Sequence, residues 1–212
     1  MKNKKLISMI AAVALVAVVG IGATLAYFTD KDDASNIVTM GHVDIDLKEP
    51  NFSGGADGGE IKNVTPGQEI SKDPTVKVEN GSEKAYIRLK LEVTGLDDAH
   101  KAQLLAKNTN GTYKYLDIDM DKWTESNEYF YYTGNKGTGQ LDGVLVAGES
   151  VTLFEHVTIP GDEWKNEVVD TAFNIVITAE AIQADNFTPK TVNGVYGWFT
   201  SDNQGITAEN YR

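Results

Sequence analysis

Four carboxylates, Asp117, Asp119, Asp121 and Glu128, stand at positions 1, 3, 5 and 12 of a calcium-loop pattern. Oxygen ligands at that spacing can wrap a hard cation. Position 6 of the pattern needs a left-handed turn and ordinarily a glycine, and here it is Lys122. The flanks, with Tyr113, Tyr115 and Tyr129–Tyr132, have the composition of strands and not of the two helices that frame such a loop. Two readings follow: the acidic outer face of a strand, or a weak calcium site outside the cell, since carboxylates sharing one face repel unless a cation lies between them.

Imidazoles are the other group able to do chemistry. His42, His100 and His156 are the only histidines. None forms H-E-x-x-H, the helical pair that sets two imidazoles on one metal beside a glutamate base. Glu155 and His156 are adjacent within an expected strand, where neighbouring side chains point to opposite faces. There is no cysteine, which removes thiol catalysis, thiolate metal sites and structural disulfides. There is no G-x-S-x-G either, and three scattered histidines give no spacing from which to build a Ser–His–Asp triad. The sequence therefore names no catalytic residue and requires no cofactor; calcium at the four carboxylates is the one metal it leaves open.

The elements that must position these residues are mostly strands. Alternation with a period of two marks His42–Leu47, Thr75–Glu79, Tyr86–Val93, Ser150–Ile159 and Ala172–Ile182. In Tyr86–Val93 the residues Ile87, Leu89, Leu91 and Val93 face inward, leaving Arg88, Lys90 and Glu92 on a wet outer face. Glu155 falls on the inner side of its segment, so a bulge is expected near Phe154–Glu155. Thr112–Ile118 and Tyr129–Thr133 add strands rich in tyrosine and β-branched residues. One helix is expected from Asp97 to Lys107, with Leu104 and Leu105 turned inward, and a helical turn at Asp162–Val168. The whole reads as an all-β antiparallel sandwich over residues 41–185 with one or two short helices. A polar tail, 186–212, carries an apolar patch at Val195, Tyr196, Trp198 and Phe199 able to dock.

The N-terminus has the order of a secretory signal. Lys2, Lys4 and Lys5 precede an apolar run from Leu6 to Ile21, and small residues follow in Gly22–Ala26. Cleavage is expected between Ala26 and Tyr27, which makes 1–26 a signal segment, expected to be helical. The run to Leu25 is also long enough to span a bilayer, so a retained anchor is the alternative. The whole chain has a net charge of −12; the leader holds three lysines and no acid, so the part beyond it carries about −15. Such an acidic chain is a poor partner for nucleic acid and suits a protein that stays soluble outside the membrane.

The junction Gly22-Ala23-Thr24-Leu25-Ala26-Tyr27-Phe28-Thr29-Asp30, then Ala34-Ser35-Asn36 and Gly41-His42-Val43-Asp44-Ile45-Asp46-Leu47, resembles the signal and early mature region of the TasA/camelysin family. Pro66-Gly67-Gln68, Asp73-Pro74, Val78-Glu79-Asn80-Gly81, Ala85-Tyr86-Ile87-Arg88 and Ala179–Ala184 are similar to further family segments. The resemblance implies a jelly-roll-like sandwich, export from a Gram-positive bacterium, cleavage by a SipW-type signal peptidase, and a place in the extracellular matrix or on the cell surface. It implies assembly into biofilm matrix fibres, in which a freed N-terminal arm, here 27–40, pairs as a strand with the next subunit. In that arm Tyr27, Phe28, Ile37, Val38 and Met40 are the residues to enter a partner. The other reading of the arm is a disordered lead or an edge strand of its own domain. The family also contains proteins described as camelysin-type metalloproteases and minor subunits. A secreted or surface metalloendopeptidase, a monomeric adhesin and an accessory fibre subunit, partnered by other matrix proteins, are therefore the competing expectations. Membrane contact is expected only through an uncleaved signal.

Overall fold

The computed structural model describes residues 42–55, 59–134, 143–161, 163–164, 172–185 and 187–206. The expected signal, the Ala26–Tyr27 junction and the arm with Tyr27, Phe28, Ile37, Val38 and Met40 lie outside the described residues, as does most of the helical turn expected at Asp162–Val168. Contacts group Gly41–Arg212 as one compact unit.

That unit is an all-β antiparallel sandwich with one short helix. Its elements are β1 (Ile45–Lys48), β2 (Glu69–Ser71), β3 (Thr75–Val78), β4 (Ala85–Thr94), α1 (Asp98–Leu104), β5 (Trp123–Ser126), β6 (Tyr129–Tyr132), β7 (Val144–Leu145), β8 (Ser150–Thr152), β9 (His156–Thr158), β10 (Asn174–Gln183), β11 (Lys190–Val192) and β12 (Val195–Gly197). The larger sheet runs β10-β4-β6-β5, with β7 also on β4; the smaller runs β1-β3-β8, and β2–β9 and β11–β12 are separate pairs. The expected alternation explains the layers. Ile87 and Leu89 of β4, Val76 and Val78 of β3, Val151 of β8 and Val157 of β9 all enter one buried cluster, closed by Trp123 and Phe154.

The expected strand Ser150–Ile159 is interrupted. β8 bonds β3, β9 bonds β2, and Leu153–Glu155 between them form no ladder. The break turns Glu155 outward and buries Phe154, relieving the conflict of a glutamate on an inward position. Thr112–Ile118 is not a strand. It makes only isolated bridges, Lys107↔Tyr113 and Leu116↔Val157. The helix is shorter than Asp97–Lys107. Asp97 caps it, accepting from the His100 N–H at 2.9 Å, and Leu104 is fully buried. The chain leaves the helix at Leu105 so that Lys107 can reach Tyr113.

The outer face of β4 is not wet at Arg88, which is only 3% exposed. The tail covers it. β11 and β12 form a hairpin across Asn193-Gly194, both with positive φ, and Trp198 and Ile206 are buried with Tyr131 and Ile182 in a second cluster. Arg88 lies between the rings of Tyr129 (4.1 Å) and Trp198 (4.3 Å). Its Nε donates to Glu180 at 2.8 Å, and its Nη2 donates both to Glu180 and, at 2.8 Å, to the carbonyl of Ile206. One guanidinium thus ties β4, β6, β10 and the tail together.

Removing one member of a buried ion pair strands the other charge, at a cost of about 3–5 kcal/mol. Arg88→Ala is expected to lose that much in chemical denaturation, since Glu180 would remain only partly exposed and unpaired. A loss below about 1 kcal/mol would show that the cluster does not hold the tail.

Candidate functional site

The four calcium-pattern carboxylates do not converge. Asp117 follows Leu116, whose bridge to Val157 brings it beside β9. Its Oδ1 accepts the N–H groups of Glu155 (2.8 Å) and His156 (2.9 Å), and its Oδ2 meets His156 Nδ1 at 3.1 Å. Asp119 accepts the Asp121 N–H at 3.0 Å and pairs with Lys122 at 3.1 Å, shaping the turn into β5. Glu128 is at the tip of the β5–β6 hairpin, where Asn127 and Glu128 take φ of 46° and 68°, and its carboxylate lies 3.5 Å from Lys90. Asp121 is exposed. The spacing is the same as that of a calcium loop, but the backbone it decorates is a turn followed by a hairpin.

The histidines are equally dispersed. His42 is exposed on the chain before β1, where its carbonyl accepts the Glu83 N–H at 3.1 Å. His100 is held by Asp97 at 2.8 Å and meets Trp164 edge-on at 5.8 Å, so it is more enclosed than a surface helix position suggests. His156 lies in β9 and helps to line an open cleft of about 390 Å³ with Asn51, Ser71, Asp73 and Glu155. Within the cleft Asp73 is buried, but both its oxygens are taken by Asn51, through the backbone N–H at 2.9 Å and the side-chain amide at 2.8 Å. That carboxylate fixes the loop before β2 and is not free to act on a ligand.

Electrostatics single out two pairs. The His156 imidazole is raised above its ordinary 6.5, chiefly by its hydrogen bond to Asp117, with Glu69 and Glu155 adding to the attraction and partial burial opposing it. Glu163 is pushed down to about 2 by the hydrogen bonds it accepts from Lys114 (2.6 Å) and Tyr115 (2.5 Å). Both are satisfied surface arrangements. Among the described residues, no three histidine, aspartate or glutamate side chains are grouped so as to hold a metal ion.

Among the described residues, fold and side chains together define an antiparallel β-sandwich protein with unpaired sheet edges and no helix long and apolar enough to cross a membrane. The family profile described as camelysin metallo-endopeptidase matches residues 1–122, and the chain belongs to that family, whose members are extracellular or surface proteins of Gram-positive bacteria. No curated protein and no solved structure matches the chain. The metal in the family's description finds no fitting donor set among the described residues. His100 and His156 each engage an aspartate through Nδ1, which leaves Nε2, but neither they nor His42 belong to a group of three possible ligands among the described residues.

A group whose folded pKa is raised adds stability below its unfolded value and loses it as pH climbs through the folded one. His156 is therefore expected to stabilise the fold below about pH 6.5 and to give up that contribution above it. Asp117→Asn should move the His156 titration, followed by NMR, back toward 6.5 and flatten this part of the pH–stability curve. An unchanged titration would mean that Asp117 is not the cause.

Proposed function

We propose that this protein is an exported structural subunit of an extracellular matrix, assembling into fibres when signal cleavage at Ala26–Tyr27 frees the arm 27–40 to pair with the next copy. The observation that carries this reading is that the family match begins at residue 1 and runs through the junction, the arm and the first strands, so leader and arm belong to the family's shared part. The physics suits it. A sheet edge presents unpaired N–H and C=O groups, strand addition from a neighbour pairs them, and head-to-tail addition does not close on itself. An acidic surface without cysteine keeps the subunit soluble until it assembles and needs no oxidation to do so. A SipW-type signal peptidase supplies the cut, and accessory matrix proteins are the natural further partners.

Protein starting at Tyr27 is expected to form fibres visible by negative-stain microscopy, and protein lacking Tyr27–Met40 to remain monomeric. Fibre growth at the same rate without the arm would refute arm-driven assembly.

The family's description favours a second reading, a surface metalloendopeptidase. It predicts cleavage of an unfolded protein substrate that stops on chelation and is lost on replacing His42 or His156. The dispersed histidines lead us to expect no cleavage with added zinc; chelator-sensitive turnover would reverse that expectation.

A further inference from the structure

The edge that would accept such an arm can be chosen from the backbone. β10 pairs with β4 through ten consecutive registers, from Asn174↔Thr94 to Gln183↔Ala85. Among the described residues no strand lies along its other side. The other sheet edges are short: β1 and β5 have four residues each and β8 has three.

The register continues past the strand, where the Ala184 N–H donates to the Lys84 carbonyl at 2.9 Å. In an antiparallel pair, residues that exchange hydrogen bonds with the partner alternate with residues whose N–H and C=O point away. Counting back from Ala184, the even-numbered residues of β10 bond β4. The odd ones, from Ile175 to Gln183, turn both backbone groups to the free edge. These odd residues also face the core. Ile175, Ile177, Ala179 and Ala181 pack against the main cluster while staying partly exposed, whereas Leu89 and Ile87 opposite the two alanines are 0% and 1% exposed. Among the described residues, the row is apolar, incompletely covered and lined with unpaired donors and acceptors, which is the condition of a strand lacking its neighbour.

Edges that avoid pairing carry lysine, proline or bulges. β10 has none of these: its pairing is unbroken and its one charge, Glu180, is engaged by Arg88. On its outward face Val176 is 42% exposed. The arm has a matching stretch. Ala34–Met40 carries no charge and alternates, with Ala34, Asn36, Val38 and Met40 on one face and Ile37 on the other between Ser35 and Thr39. Laid beside β10, Ala34, Val38 and Met40 of the first face extend the row formed by Ile175, Ile177, Ala179 and Ala181, with Asn36 as its one polar member, and the second face offers Ile37 to the neighbourhood of Val176. We infer that the outer edge of β10 is the acceptor for residues 34–40 of a second copy of this chain. The inference rests on the strand-donation reading above.

The test uses protein starting at Tyr27. Ala179→Pro deletes one outward N–H while leaving the bonds to β4, and Val176→Lys puts a charge beside the incoming strand at an exposed side chain. Each is expected to slow fibre growth at least tenfold. In wild-type fibres the amides of Ile175, Ile177, Ala179 and Ala181 should exchange hydrogen at least tenfold more slowly than in dilute monomer. If both variants assemble at the wild-type rate and these amides stay unprotected, the β10 assignment is overturned. Strand donation would then survive if deleting Tyr27–Met40 still stops assembly, and would fall with it if deletion has no effect or if the wild type forms no fibres. Slow exchange already present in the monomer at every concentration would mean that β10 is covered within one chain, and would overturn the second-copy occupant.

Discussion

The Arg88 guanidinium is the group on which the rest of the architecture depends. It is a cation almost wholly removed from water, answered by Glu180, by the Ile206 carbonyl and by the faces of Tyr129 and Trp198. Such a charge is tolerable only when its donors are matched, and the matching draws on β4, β6, β10 and the tail at once. Two consequences follow. The tail covers the outer face of the larger sheet around Arg88, Tyr131 and Ile182, while Asn174, Val176 and Thr178 at the other end of β10 stay exposed. Glu180, the only charge on β10, is neutralised, so the long edge of that sheet presents backbone groups and apolar side chains with no fixed charge to repel a strand.

The family match ends at residue 122, before β5, so β6, β10 and the tail lie beyond it. The shared part supplies leader, arm, β1–β4 and the helix. The edge to which we assign the arm and the hairpin that covers Arg88 belong to the rest. His156, one of only three imidazoles in the chain, also lies outside the matched part, and the two within it stand on different segments. Acidic and basic surface groups are instead paired locally, as in Asp117–His156 and Glu163–Lys114.

Much of the fold was legible where one face of a strand is dry and the other wet. Thr75–Val78, Ala85–Thr94 and Asn174–Gln183 follow their alternation because a slip by one residue would turn every aliphatic side chain out of the core. Arg88 was misread for the same reason: alternation tells which side a residue faces, not whether distant chain covers that side. The hairpin that covers it carried a local signal, Val192-Asn193-Gly194-Val195, in which Asn-Gly supplies the two positive φ values of a tight turn. β5 is short and polar on both faces apart from Trp123, and gives no period to detect. The carboxylate pattern at Asp117–Glu128 misled because sequence spacing reports separation along the chain, while the turn at Asp119–Lys122 and the hairpin at Asn127-Glu128 decide where the oxygens go. The same spacing rule failed to pair Asp117 with His156, which only the long-range bridge between Leu116 and Val157 brings together.

A sandwich whose tail covers Arg88 and whose long edge carries no unpaired charge suits a subunit that arrives soluble and grows by gaining a strand. Electron cryomicroscopy of fibres grown from protein starting at Tyr27 reads that claim directly. The account predicts density for an added strand running beside Asn174–Gln183, continuous with the N-terminus of the adjacent subunit. Fibres whose subunits touch only through other surfaces, with the outer side of this strand open to solvent, would contradict it.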